Sequence, residues 1–235
     1  MSATERASKF RAWSTLGRKI ITGITAMGLV IFIIEHLIGN LLLLSPNPEY
    51  YNAYAYDLMS WGVFLYIIEI GLLLFFLFHI AAGTAVYLRK RQARPDKYMK
   101  YQSTGGSSRQ TISSKTMIWT GLLLLIFIVF HLITFKYNPN LATKYVTMID
   151  GHKAHDFYHL VYDTFASGWI TLWYVIIMVL LGYHLRHGFW SMFQSLGAMK
   201  PKMTPIIYSL GVALAIIIAF GFVIIPIWIH FGGMA

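Results

Sequence analysis

Five separate stretches of this chain stay apolar for about 20 residues or more, the length an α-helix needs to cross the hydrocarbon core of a bilayer. They lie at about 20–44, 61–88, 116–136, 167–190 and 205–230. A backbone in hydrocarbon must satisfy its own hydrogen bonds, so such stretches read as helices. The expected fold is all-α, an integral membrane bundle of five transmembrane helices forming a single domain over residues 1–235. Composition agrees: 57% of residues are hydrophobic and 12% charged, the latter roughly half the share of a soluble domain. The polar, basic residues 1–19 show no cleavage-site pattern, which predicts a retained first helix rather than a removed signal peptide.

Chain breakers fall between the spans. Ser45-Pro46-Asn47-Pro48 ends the first, Gly105-Gly106-Ser107-Ser108 interrupts the connection between the second and third, and Asn138-Pro139-Asn140 follows the third. Lysine and arginine set the orientation. Arg6, Lys9, Arg11, Arg18 and Lys19 precede span one. Arg89, Lys90, Arg91, Arg94, Lys97, Lys100, Arg109 and Lys115 lie between spans two and three, and Arg186, Lys200 and Lys202 follow on the same side. The other side carries only Lys136, Lys144 and Lys153. The N-terminus is therefore expected in the cytoplasm and the C-terminus outside. This topology accounts for the net charge of +10 without nucleic acid as a partner. Cysteine is absent, which excludes disulfides, thiol catalysis and cysteine-ligated clusters in this chain.

Each of the first four spans contains a histidine: His36, His79, His131 and His184. An ionisable side chain deep in a membrane is costly and usually functional. At 1.5 Å per residue, His36 and His131 lie ~24 and ~22 Å from the cytoplasmic end of their spans, and His79 and His184 ~14 and ~9 Å. These are two levels, an outer pair and an inner pair. Two imidazoles facing each other across a bundle can hold a haem iron from both sides, and two such pairs form an electron path. The expectation is two b haems, with His36 and His131 on the outer iron and His79 and His184 on the inner. Gly83 and Gly188 lie four residues beyond His79 and His184 and leave room for a flat macrocycle, as Gly39 does at the outer level; close helix packing would use glycine equally. The competing reading is four structural histidines hydrogen-bonded between helices. A bare metal ion lacks an accompanying carboxylate or cysteine cluster at one depth. His187 rivals His184 but sits nearer the surface, where a propionate or lipid contact suits it.

With those residues in view, the chain resembles the cytochrome b subunit of succinate dehydrogenase and fumarate reductase, in its single-subunit, five-helix, dihaem form. The matching segments are His36-Leu37-Ile38-Gly39-Asn40, His79-Ile80-Ala81-Ala82-Gly83, Phe130-His131-Leu132 and His184-Leu185-Arg186-His187-Gly188. The most specific is the continuation Phe189-Trp190-Ser191-Met192-Phe193-Gln194-Ser195-Leu196-Gly197. The resemblance covers all five spans. It implies a multi-pass subunit of the bacterial cytoplasmic membrane, in contact with lipid, that anchors two soluble partners on the cytoplasmic face. One is a flavoprotein with FAD and the dicarboxylate site; the other carries iron–sulfur clusters. This chain would pass electrons between those clusters and a membrane quinone, menaquinone in the usual case. A higher oligomer of the complex is compatible with that role.

Further candidates stand beside their plainer readings. Glu35 and Glu69, the acidic residues within spans, could handle protons for a quinone or be neutral and hydrogen-bonded. Some members of the resembled family carry a carboxylate on span four near the inner ligand; Leu180, Leu181 and Gly182 stand there in this chain. Glu49, Tyr50 and Tyr51, outside span one on the outer side, could bind a quinol hydroxyl or belong to an aromatic interface belt. His155 and His159 are four apart and could bind a metal on a helix, within a stretch including His152 that is otherwise expected to be a polar or interfacial helix. Arg18, Lys19, Lys115 and Arg186 could pair with haem propionates or anchor the membrane surface, and His230 has no matched partner. Two other functions remain open: the cytochrome b of a hydrogenase, formate dehydrogenase or heterodisulfide reductase, and a transporter with histidine proton relays.

Overall fold

The computed structural model describes residues 15–92 and 112–232. Arg6, Lys9, Arg11, Arg94, Lys97, Lys100, Arg109 and the glycine–serine run at 105–108 lie outside the described residues. The five long apolar helices are α1 (Thr15–Asn40), α3 (Val63–Gln92), α4 (Ile112–His131), α6 (Gly168–Ser195) and α7 (Thr204–Phe231). All five are long and apolar enough to cross a membrane, making an all-α, multi-pass bundle. Their ends on the expected cytoplasmic side overrun the sequence reading at four places: α1 begins at Thr15 rather than 20, α3 continues to Gln92 rather than 88, α4 begins at Ile112 rather than 116, and α6 continues to Ser195 rather than 190. The run after His187 is thus the last turns of α6. It stops at Gly197, whose φ of +75° favours a residue without Cβ. Ala198 N–H donates to Phe193 O and Gly197 N–H to Gln194 O, at 2.9 and 3.2 Å, the two bonds of a Schellman end.

α6 is central and packs on α1, α4 and α7, while α3 packs mainly on α1 and meets α4 little. Small residues set these approaches, as expected where packing rather than water drives association. A Cβ on Gly182 would lie 2.9 Å from Ala219 Cβ, and one on Gly221 2.8 Å from Leu37. Ile177 and Ile218 form the most buried part of the α6–α7 core. Ile67, Ile70 and Leu77 on α3 and Ile216, Ile217 and Phe220 on α7 are exposed outward, as lipid-facing positions must be.

The end of the bundle away from Arg18 and Arg186 carries a cap that the span reading left unassigned. α2 (Pro48–Ser60) starts at Asn47, whose side chain accepts from Glu49 N–H, with Pro48 in the first turn. Residues 146–155 form an antiparallel hairpin, β1 (Val146–Ile149) with β2 (His152–His155), in register Val146 to His155 and Ile149 to His152. Asp150 and Gly151 both have positive φ, 48° and 77°, the requirement of a tight hairpin turn. Helix α5 (Phe157–Phe165) follows, capped by Asp156. The histidine-rich stretch, expected to be one helix, is therefore a strand followed by a helix, because Asp150-Gly151 closes a turn and Asp156 starts a new element. Asn52 locks the cap: its amide donates to Asp156 Oδ1 at 2.8 Å and accepts from Tyr158 N–H at 2.9 Å. Tyr158 and Tyr162 donate to Ser45 O and Leu43 O, tying α5 to the end of α1.

Candidate functional site

The inner-level histidines face each other across the bundle. His79 on α3 and His184 on α6 have ring centres 6.3 Å apart at 65°. Thr120 on α4 stands 3.1 Å from His184 Nδ1, and its hydroxyl also donates to Met117 O at 3.1 Å. A hydroxyl has one hydrogen to give. With that hydrogen on Met117 O, Thr120 Oγ1 is an acceptor for His184 Nδ1–H, the tautomer that leaves the lone pair on Nε2. His79 Nδ1 is buried with no hydrogen-bond partner, a costly condition for a polar atom. Gly121 makes room beside His184, whose Cε1 is 3.5 Å from where a Cβ would be, and Gly83 faces open space.

The outer-level pair is His36 on α1 and His131 at the last position of α4, with ring centres 5.8 Å apart at 86°. A π-helical turn, Leu132–Lys136, follows immediately, with Tyr137 N–H bonded to Leu132 O at 2.8 Å; such turns often occur at functional positions. Tyr174 Oη lies 3.4 Å from His131 Nδ1. Phe32 and Phe222 pack on His36, and Phe127 and Phe135 on His131. From Thr120, level with the inner pair, to His131 is 11 residues of sequence, ~16 Å of helical rise.

A metal–imidazole bond is about 2 Å, so two rings sharing one iron stand about 6 Å apart between centres. Both separations fit. The donor chemistry fits too, since Thr120 leaves His184 Nε2 available to a metal. At the basic end, Arg18 is buried and its Nη2 has no hydrogen-bond partner, a group suited to an anionic propionate. Among the described residues, no three His, Asp or Glu side chains gather as a metal-ion cage; a haem asks only for two axial donors. No protein-family model, curated protein or solved structure matches this chain. The geometry therefore stands by itself.

The remaining candidates fall in different places. Gly39 does not leave open space: the Tyr54 ring lies within 2.6–2.8 Å of where its Cβ would be. Gly188 is loosely covered by Met117, whose Cε is 3.9 Å away from a Cβ position. Lys19 and Lys115 are exposed and Arg186 half-buried. His187 packs edge-on against Trp190 at 5.0 Å. Glu35 is exposed although it adjoins His36. Glu69 lies in the second turn of α3, nearer the capped end than mid-membrane, and forms an ion pair with Lys136 that joins α3 to the end of α4.

At the capped end, Glu49 is exposed in the first turn of α2. Tyr51 donates to Asn40 Oδ1 at 3.4 Å, and Asn40 donates to His36 O at 2.7 Å, so this segment reaches the outer pair. Burial pushes the Tyr51 phenol far above its ordinary range, which keeps it protonated. Tyr50 is exposed. His155 Nδ1 donates to Leu141 O, whereas His159 Nδ1 pairs with Asp156. They lie on different elements, so the helical i,i+4 metal site is not formed. His152 stacks on Tyr56. His230 Nδ1 donates to Phe165 O at 2.9 Å and stitches the end of α7 to the α5–α6 corner, a structural role.

Sequence reasoning missed Thr120, Gly121, Tyr174 and Asn40. The available signal was a small or polar residue inside an apolar run, at the depth of a histidine on another helix.

Proposed function

We propose that this chain is a dihaem cytochrome b anchor of a bacterial succinate:quinone oxidoreductase or quinol:fumarate reductase. The observation that carries the haem reading is the pair of facing histidine couples at two levels of one bundle. The particular complex rests on the likeness of the segments around the histidines and of the run from Phe189 to Gly197. Each haem, when bound, supplies a one-electron centre within the membrane. His79 and His184 would hold the one nearer the basic end, and His36 and His131 the one nearer the cap. Arg18 would neutralise a propionate, and Thr120 and Tyr174 would orient two of the ligands. The basic end would face the cytoplasm and dock the iron–sulfur subunit, with the FAD-carrying subunit beyond it.

The quinone, menaquinone by the same likeness, is assigned to the capped end. A second haem level there would otherwise have no electron donor or acceptor. Oxidising a quinol to quinone releases two electrons and two protons. The exposed Glu49 carboxylate can take up a proton while open to water, and the Tyr51 phenol, whose hydrogen goes to Asn40 Oδ1, keeps its oxygen to accept from a quinol hydroxyl. Glu35 is the alternative acceptor for a deeper quinone, whereas the Glu69–Lys136 pair gives Glu69 a structural role first.

The decisive experiment is a reduced-minus-oxidised spectrum of the purified chain with a haem count. Two b haems per chain are expected; a spectrum without a haem b band overturns the reading and favours histidine proton relays. Purification of the native complex should bring two larger hydrophilic subunits and succinate oxidation. Hydrogenase or formate dehydrogenase activity in their place would move the chain to another respiratory complex. For the quinone site, Glu49→Gln should lower quinone-linked turnover at least tenfold, a typical loss for a proton-transfer group being about 100-fold or more. Both haem spectra and dye-linked succinate oxidation should stay unchanged. Normal quinone kinetics in that variant would remove Glu49 from the site.

A further inference from the structure

The four facing histidines are not supported alike, and the difference lies in what holds Nδ1. At the inner level His184 has Thr120. Met117 O, at 3.1 Å, is an acceptor for the Thr120 hydrogen, and with the hydrogen there the Thr120 oxygen accepts from His184 Nδ1–H at 3.1 Å. Gly121, next in sequence, keeps the space beside the ring open. Opposite, His79 Nδ1 is buried with no partner at all. At the outer level the contact of Tyr174 with His131 is longer, 3.4 Å, and does not fix a donor.

We infer that Thr120 is a positioning residue for His184: by accepting its Nδ1–H it fixes the tautomer, presents Nε2 to iron and sets the potential of the inner haem. The inference rests on the haem reading above and deepens it. An acceptor on Nδ1–H makes an imidazole a stronger electron donor through Nε2. A stronger axial donor favours the oxidised iron and lowers the midpoint potential. Removing the acceptor therefore raises it. Valine has nearly the shape of threonine without the oxygen, and serine keeps the oxygen without the methyl.

The test is a redox titration of both haems, followed optically, in the intact chain and its Thr120→Val and Thr120→Ser variants. The potential of one haem should rise in Thr120→Val and stay at its original value in Thr120→Ser. The affected haem should be the one missing from His184→Ala and retained in His131→Ala. Loss of that haem in Thr120→Val with retention in Thr120→Ser supports the same role, because only the hydroxyl distinguishes the outcomes. Unchanged potentials in Thr120→Val overturn the inference. So does a Thr120→Ser variant that behaves like valine, or a change confined to the other haem. An unsubstituted chain without any haem would instead sink the underlying reading, which separates the two failures.

Discussion

Replacing His79 or His184 by alanine is expected to remove one of the two proposed haem b species and leave the other, and replacing His36 or His131 to remove the complementary one. The expected change is large: the haem-to-chain ratio falls from two to one in every single variant. The rings of each couple face each other at 5.8 and 6.3 Å, and no other described histidine shares either level in a comparable arrangement. His187, the nearest rival, is packed on Trp190. Alanine would remove one of the two residues that would hold the haem, in a site lined by Phe32, Phe127 and Phe222 at the outer level. Little there can take its place. Optical spectra at low temperature, with haem extracted and counted, give the readout. Variants of His36 and His79 that lose the same species would break the pairing. A His184→Ala variant retaining both haems, with His187→Ala losing one, would transfer the ligand to His187.

Gly182→Leu should be the most damaging substitution away from the histidines. Its site lies where α6 packs tightly against α7. A Cβ there would sit 2.9 Å from Ala219 Cβ and 3.5 Å from Ala215 O, so α7 itself, not a movable side chain, must give way. Overpacking of this kind costs about 1–3 kcal/mol, and in a bilayer no hydrophobic gain offsets it, since helices associate through close packing. A thermal unfolding midpoint several degrees lower and a smaller yield of purified chain are expected. Gly71→Ala on α3 is the control, because a Cβ there meets nothing within 4 Å. If both variants were equally stable, the α6–α7 approach would not matter to the fold. If both were equally damaged, helix packing at Gly182 would not be the cause.

Much of the cap could have been read from short-range chemistry. Asn47-Pro48-Glu49 carries the marks of a helix start, and Asp150-Gly151 marks a tight hairpin. The stretch around His152, His155 and His159 reads as one polar or interfacial helix because Phe157, Leu160 and Val161 are apolar, a pattern that does not show the break at Asp156. Gly39 shows the opposite error. Its spacing after His36 suggested room for a macrocycle, but Tyr54 from the following helix fills that room.

The sequence by itself determined the number of spans, their order and the two histidine depths, because each follows from apolar length and a fixed rise per residue along one axis. Rotation about that axis is a different matter. α4 and α6 are apolar almost all round, so they carry no stripe that says which side faces a neighbour. Only the packed bundle turns Thr120 towards His184, Tyr174 towards His131 and Arg18 into the interior, and leaves Glu35 exposed beside a half-buried His36. These are contacts between side chains tens of residues apart, set by which small residues let which helices approach, and no single span contains that information.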